Sequence, residues 1–325
     1  MTHSSTTQST ARLSPSNPPR AAAPAAAATP ANGRIGRASA PYLLILPSLL
    51  FSFWIIGYPI YDLANMSVHQ VNRFGQTAAF NDFTNYSRLF SHQLFLGCLI
   101  RTLVWTVCVV GGTILLSVPI ALILNEKFYG RNVARIILML PWAVSLTMSG
   151  IVWRWSLNGQ FGMVNATLRS AGLLDQPVEW LATAGTAFPI EIALGILVSI
   201  PFTVTVFLGG LSSLQADIFE AAKIDGANGW QRFRHLTMPL LRPFLNIVLV
   251  LNFIYVFNSF PLIWVMTQGD PANQTDILVT WLYKLAFRYG ELGIASALSV
   301  VMFLILLALT IAYAMLAMRN ERRPA

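Results

Sequence analysis

One short stretch of this mainly apolar chain carries acids, bases and a histidine close together. Of its 325 residues, 55% are hydrophobic and 10% are charged, whereas soluble domains carry about 25% charged residues. Residues 220–243 read EAAKIDGANGWQRFRHLTMPLLRP and bring acids, bases and a histidine together. The acids and bases of this stretch can contact a charged partner. What the stretch contacts depends on the side of the apolar segments on which it lies.

The residue patterns of hydrolytic and nucleotide-binding sites are missing from the sequence. It contains no GxxxxGK[ST] phosphate-binding loop, no HExxH zinc motif and no GxSxG nucleophile motif. Its four histidines, His3, His69, His92 and His235, are scattered outside the apolar segments, where a solvated surface role is typical. An intramembrane enzyme is therefore disfavoured, and no cofactor or metal ion is expected to bind to this chain.

Six apolar segments predict an all-α, polytopic membrane protein with six transmembrane helices. A helix of about 20 residues crosses a hydrocarbon core and satisfies its own backbone hydrogen bonds there. The alternation that β-barrel strands require is absent. The segments are 41–61, 97–124, 134–155, 188–211, 243–267 and 292–317.

The two ends of the chain differ in composition from the segments between them. Residues 1–40 contain no acid and almost no large apolar residue, so they are predicted to form a disordered cytoplasmic tail. Residues 41–318 form the predicted membrane domain, and residues 319–325 form a short basic tail that is also expected in the cytoplasm.

The basic residues predict the orientation of the six segments. An even number of spans places both termini on one side, and fourteen of the 21 Lys and Arg residues fall there. Five lie in the opposite connections, 62–96, 156–187 and 268–291, and two lie at segment edges. Because cytoplasmic loops are enriched in Lys and Arg, the termini and residues 220–243 are predicted to be cytoplasmic. Topology thus explains the net charge of +8, and nucleic acid is not expected as a partner.

The charged stretch and its lead-in, residues 212–241, predict two short helices joined by a sharp bend. DIFEAAKID has apolar residues at helical spacing, and Gly226 suits a helix end that needs a left-handed residue. GWQRFRHLTMP is interpreted as a second helix that ends at Pro239. Two interpretations stay open on these grounds. The helices could lie on anionic membrane lipid, or their small residues could let a partner protein approach closely.

The fifth segment carries polar residues that could face a solute. Asn252, Tyr255 and Ser259 recur at three- and four-residue spacing, so they are predicted to share one helical face. Amide, phenol and hydroxyl groups suit a sugar, although Asn and Ser also form hydrogen bonds between helices. Glu191 and Arg101 lie towards segment ends, from which their side chains are expected to reach the interface. Because no charge lies at mid-segment, a neutral polar solute is favoured over an ion-coupled secondary carrier.

The charged stretch resembles the signature loop of the permease subunits of binding-protein-dependent ABC importers. The similarity extends over roughly residues 41–318, where GRNVARIILMLPWAVS, GLLDQPVEWLA and ELGIASALSVVMF resemble sugar-importer permeases of the maltose and glycerol-phosphate type. The resemblance implies a type I importer permease fold whose bent loop is a coupling helix seated in a cleft of a cytoplasmic ATPase. It rests on Glu220, Ala221, Ala222, Asp225, Gly226, Ala227, Phe233 and Pro239, of which the first six are the expected ATPase-coupling residues.

The resemblance also implies a substrate pathway through the fourth and fifth segments. Six positions match sugar contacts of a maltose-type permease, namely Gly195, Ser199, Phe202, Asn252, Val256 and Ser259. Tyr255, which the spacing argument identified, is the seventh predicted pathway residue. The identities at Gly195, Phe202 and Val256 differ from that permease, so maltose itself is not implied. Transport of another solute, such as a sugar phosphate, polyol or amino acid, remains an alternative.

The same resemblance implies an assembly in the bacterial inner membrane. The expected partners are a second homologous permease, two copies of a cytoplasmic ATPase that binds ATP and Mg²⁺, and a periplasmic solute-binding protein. Both termini of the chain would then be cytoplasmic, as the basic residues predict.

Overall fold

The computed structural model describes the backbone of residues 33–321 and the side chains of residue 42 and of residues 44–315. In this range the regular structure is helical apart from one antiparallel hairpin. The elements are α1 Gly33–Val68, β1 His69–Val71, β2 Thr77–Phe80, α2 Thr84–Ser91, α3 Gln93–Asn125, α4 Arg131–Ala143, α5 Leu146–Ser156, α6 Met163–Ser170, α7 Ala184–Ser212, α8 Ala216–Ile224, α9 Gly229–Arg232, a π-helical turn Phe233–Thr237, α10 Met238–Phe257, α11 Pro261–Met266, α12 Leu278–Tyr283, a second π-helical turn Lys284–Arg288, and α13 Leu292–Glu321.

Most of the tail predicted over residues 1–40 lies outside the described residues. The helix α1 begins at Gly33, so the predicted boundary falls within it. The chain forms two compact units, residues 1–57 and residues 58–325. The described part of the first unit is the N-terminal portion of α1, and the helix packing, cavity and turn discussed below belong to the second unit.

The six predicted membrane segments correspond to five long helical spans and one broken span within the described residues. Five helical stretches are long and apolar enough to cross a membrane, and the all-α, polytopic prediction is confirmed. The predicted segment 134–155 is not a single straight helix, because α4 and α5 meet at 93°. Val144 and Ser145 adopt extended backbone angles at this break. The Ser145 Oγ accepts a hydrogen bond of 3.2 Å from the Met148 N–H and so caps α5.

The helices α3, α7 and α10 pack against one another around Trp105. A Cβ atom at Gly195 would lie 2.8 Å from the Trp105 ring, so only glycine lets α7 approach α3 this closely. The Trp105 indole also donates a hydrogen bond of 3.0 Å to the Val256 carbonyl of α10. One buried side chain therefore fixes the relative positions of three helices.

The second helix of the predicted pair does not stop at Pro239, and that prediction is wrong. From Gly229 the helix continues through the first π-helical turn into α10. The Met238 N–H bonds to the Phe233 carbonyl across the wide π turn. Pro239 follows directly, where this wider turn accommodates its ring and its missing N–H group.

The predicted segment 243–267 is also interrupted. The helix α10 ends at Phe257, and the short α11 begins at Pro261. Ser259 therefore lies beyond α10, and the prediction that it shares a helical face with Asn252 and Tyr255 is wrong.

Candidate functional site

An open cavity of about 670 Å³ lies between the α4–α5 break, α7 and α10. Its volume falls within the range of small-molecule sites. Three aromatic side chains, Trp142, Phe202 and Tyr255, contribute to walls that are otherwise mainly aliphatic. Each described residue that lines the cavity is uncharged. The cavity therefore suits a neutral solute that offers CH groups to aromatic faces.

Two serines add hydroxyl groups to this lining, and their existing hydrogen bonds decide what each can offer a solute. The Ser145 Oγ accepts from the Met148 N–H, so its own proton stays available for donation. The Ser199 Oγ donates to the Gly195 carbonyl at 2.7 Å, so it offers only acceptor lone pairs. Ser145 can therefore donate to a solute, and Ser199 can accept from one.

Asn252 and Tyr255 line the same cavity from α10. The Asn252 side chain is 3% exposed, and its Nδ2 donates a hydrogen bond of 2.9 Å to the Oγ1 of Thr203 on α7. Tyr255 is 52% exposed, and its ring lies open to the cavity. An amide and a phenol thus stand one helical turn apart on the cavity wall.

The remaining predicted pathway residues do not line this cavity. Gly195 and Val256 are buried against Trp105, where one provides space and the other a carbonyl acceptor. Ser259 is half-buried beyond the end of α10, where its N–H bonds to the Val256 carbonyl. Of the seven predicted positions, the structure brings Ser199, Phe202, Asn252 and Tyr255 together at one cavity.

The turn between α8 and α9, residues 225–228, has a defined local geometry. Gly226 has a φ of +79°, which disfavours residues with a Cβ atom. The Gly226 N–H bonds to the Lys223 carbonyl, and the Ala227 N–H bonds to the Ala222 carbonyl. This is the hydrogen-bond pattern of a glycine-terminated helix.

The last residue of this turn, Asn228, starts the next helix by a reciprocal cap. The Asn228 side chain accepts from the Gln231 N–H, and the Gln231 side chain accepts from the Asn228 N–H, both at 2.8 Å. Such a capping box fixes the entry of the chain into α9. The bend that the sequence predicts is therefore present, with glycine on one side and a capping box on the other.

The predicted coupling residues lie on an exposed projection formed by α8 and the α8–α9 turn. Ile224 is 86% exposed and Trp230 is 66% exposed, so the projection presents apolar as well as charged groups to its surroundings. Of the predicted coupling residues, the exposed ones are Glu220, Ala221, Asp225 and Gly226, and the half-buried ones are Ala222 and Ala227.

The family assignment comes from comparison with known proteins. The family described as "Binding-protein-dependent transport system inner membrane component" matches residues 113–322. The chain belongs to this family. It is therefore a multi-pass inner-membrane permease, a transport subunit and not an enzyme, and the predicted resemblance is confirmed.

Two curated relatives match almost their whole length to this permease. It is 59% identical over 282 residues to a "Probable ABC transporter permease protein" of Brucella suis biovar 1, which covers 87% of this chain and 98% of that protein. It is 35% identical over 275 residues to the trehalose/maltose transport system permease protein MalF of Thermococcus litoralis, which covers 84% and 91%.

A solved structure confirms the fold of the permease. A chain of a bacterial ABC transporter involved in alginate import superposes with a TM-score of 0.77 at 23% identity, over 88% of this chain and 98% of that chain. The permease therefore shares the fold of this ABC transporter chain.

The sequence analysis missed a buried ion pair in the loop after α11. The Lys284 Nζ donates to the Asp276 Oδ2 at 2.6 Å and to the Asn273 Oδ1 at 2.7 Å, and the two charged side chains are almost fully buried. Burial raises the pKa of the Asp276 carboxyl, while hydrogen bonds from Lys284 and Thr280 act in the opposite direction. Asp276 precedes α12 and Lys284 follows it, eight residues later, so no periodic pattern in the sequence indicated this pair.

The prediction that Glu191 extends to an interface is wrong, because this side chain is fully buried, whereas Arg101 extends to the loop after α11. The Arg101 Nε donates to the Asp276 carbonyl at 2.8 Å, and its Nη2 donates to the Asn273 carbonyl at 3.0 Å. Glu191 is fully buried and accepts a hydrogen bond of 2.8 Å from the Thr267 hydroxyl. Both side chains therefore connect the loop after α11 to the long helices, Arg101 from α3 and Glu191 from α7, and the Glu191 Oε2 is left without a hydrogen-bond partner among the described residues.

Proposed function

We propose that this permease moves a neutral sugar or sugar derivative across the inner membrane, after delivery by an extracytoplasmic binding protein. The observation that carries this proposal is the uncharged, aromatic and hydroxyl-bearing cavity beside Asn252 and Tyr255. Sugars present hydroxyl groups around the ring and CH groups on its faces, and this lining has partners for both.

The charge of the cavity favours neutral sugars over the anionic solutes that some relatives carry. One relative is an sn-glycerol-3-phosphate transport system permease of Yersinia pestis, which is 28% identical over 272 residues. A phosphate in the present cavity would find no cation among the described lining residues of this chain. An unpaired buried charge is costly, so a phosphorylated solute is disfavoured.

We propose further that a cytoplasmic ATPase docks on the α8–α9 projection and drives the transport cycle. The support is the rigid turn at Gly226 and the exposed Ile224 and Trp230 beside it. Because the sequence has no phosphate-binding loop of its own, ATP and Mg²⁺ bind to that partner. A second homologous permease completes the pathway, two ATPase copies lie beneath the pair, and both termini are cytoplasmic.

Reconstitution of the complete importer in proteoliposomes tests this function. Uptake of radiolabelled glucose, maltose, trehalose, sucrose and glycerol 3-phosphate is measured with the binding protein and ATP present. We expect uptake of at least one neutral sugar and none of glycerol 3-phosphate. Uptake of the phosphate ester alone, or uptake without the ATPase, would contradict the proposal.

A pair of asparagine variants tests whether the cavity is the pathway. Asn252→Ala removes an amide from the cavity wall and should lower the maximal uptake rate about tenfold, as expected for the loss of a hydrogen bond to the solute. Asn258→Ala is the matched control, because this exposed amide bonds to the Ile254 carbonyl and does not line the cavity. Equal uptake by the two variants would show that the solute passes elsewhere.

A further inference from the structure

We propose that Thr203 is a positioning residue that holds the Asn252 amide in place on the cavity wall. Thr203 is fully buried on α7 and is not part of the cavity lining. Its Oγ1 accepts a hydrogen bond of 2.9 Å from the Asn252 Nδ2 across the contact between α7 and α10. This inference rests on the proposed function and assigns a role to a residue that does not contact the solute.

The chemistry of the amide makes its orientation important. An asparagine side chain has two N–H donors at one end and one carbonyl acceptor at the other. With the Nδ2 end held by Thr203, the Asn252 Oδ1 has no hydrogen-bond partner among the described residues and is not one of the buried unpaired atoms. Because Asn252 lines the cavity, Oδ1 is the end of the amide available to a solute.

The fixed orientation makes this part of the wall an acceptor surface. The Ser199 Oγ, which donates its proton to the Gly195 carbonyl, adds a second acceptor to the lining of the same cavity. Sugar hydroxyl groups can donate to both oxygens. A carboxylate or phosphate oxygen has no proton to donate, so the same oxygens repel it. With the amide held in this orientation, this part of the wall favours solutes that bring hydroxyl donors.

The helix α7 provides a matched control two residues away. The Thr205 Oγ1 donates to the Pro201 carbonyl at 2.7 Å and makes no hydrogen bond to Asn252. Thr203→Val and Thr205→Val therefore each remove one threonine hydroxyl group from the same helix. Only Thr203→Val frees the Asn252 amide.

The experiment measures maximal uptake by the reconstituted importer at saturating binding protein, normalised to permease abundance. The probe is whichever of glucose, maltose, trehalose and sucrose the parental complex takes up fastest, and ATP hydrolysis is recorded in parallel. Thr203→Val should lower uptake on the order of tenfold, because one buried donor loses its partner. ATP hydrolysis stimulated by the binding protein should remain at the parental rate.

Three further variants separate positioning from a general structural role. Thr203→Ser keeps the hydroxyl group and should restore uptake to within about twofold of the parent, as should the control Thr205→Val. In an Asn252→Ala background, Thr203→Val should cause no further loss, because a residue that acts through Asn252 has nothing left to orient. If Thr203→Val fails to assemble, Thr203→Ala carries the same expectations without added bulk.

Several results would overturn the proposal. Parental uptake by Thr203→Val, failure of Thr203→Ser to restore uptake, or an independent further loss in the Asn252→Ala background would each exclude a positioning role. Failure of the proposed function would look different. In that case Asn252→Ala itself would transport at the parental rate, or the parental complex would take up none of the four sugars, and the Thr203 proposal would fall with it.

Discussion

The left-handed turn at Gly226 gives the most direct test of the proposed coupling role of the α8–α9 projection. A non-glycine residue in the left-handed helical region costs about 1–2 kcal/mol, and Gly226 has a φ of +79°. That energy corresponds to a factor of about 5 to 30 in the population of the turn. Gly226→Ala should therefore weaken coupling by this order.

Two further substitutions place the Gly226→Ala effect in a graded series. Asparagine tolerates the left-handed region better than alanine does, so Gly226→Asn should lie between the parent and Gly226→Ala. Proline fixes φ near about −65° and has no N–H, so Gly226→Pro cannot form the turn or the bond to the Lys223 carbonyl. We expect Gly226→Pro to abolish coupling.

The assay compares uptake with ATP hydrolysis in proteoliposomes that contain the complete importer. The expected result is a falling ratio of uptake to hydrolysis in the order Gly, Asn, Ala, Pro, with membrane insertion intact. Gly229→Ala is the control, because a Cβ atom there would have no neighbour within 4 Å and its φ is not positive. Parental transport by Gly226→Pro at normal abundance would refute the reasoning.

Two stability predictions concern buried contacts away from the turn, and both are measured by thermal unfolding of the purified complex. Gly195→Ala places a Cβ atom 2.8 Å from the Trp105 ring and should lower the free energy of unfolding by about 1–3 kcal/mol. The control Gly185→Ala meets no neighbour within 4 Å and should be neutral. Equal unfolding temperatures of the two variants would contradict the packing argument. Asp276→Asn leaves the buried Lys284 ammonium without its counter-charge and should lower the free energy of unfolding by about 3–5 kcal/mol. An unchanged unfolding temperature would show that the ion pair contributes little to stability.

The membrane spans and the bend between α8 and α9 could be predicted from the sequence because their signals are local. Long apolar runs indicate membrane helices, and a glycine after a short amphipathic helix indicates a left-handed end. Gly226 satisfies this rule in the structure, with its N–H bonded to the Lys223 carbonyl. The same local rules misjudged Pro239, because a π turn is set by hydrogen-bond register and not by composition.

The shape of the cavity could be predicted only in part, because it depends on contacts between distant segments. Spacing along α10 identified Asn252 and Tyr255, but it gave no indication that the α4–α5 break brings Ser145 to the same cavity. Thr203 and Asn252 are 49 residues apart, and their hydrogen bond follows only from the packing of α7 against α10. Pairings of this kind have no periodicity that a single sequence reveals.

The unbroken helical path from Gly229 to Phe257 has a mechanical result. From the cap at Asn228 to Asn252 the axis is about 36 Å long, at 1.5 Å per residue. A pivot of about 5° at the cytoplasmic end of a rod of that length sweeps the far end through roughly 3 Å. Such an amplitude is comparable to the length of a hydrogen bond, so under the proposed function a small tilt of the helix is enough to separate the Asn252 amide from a bound solute.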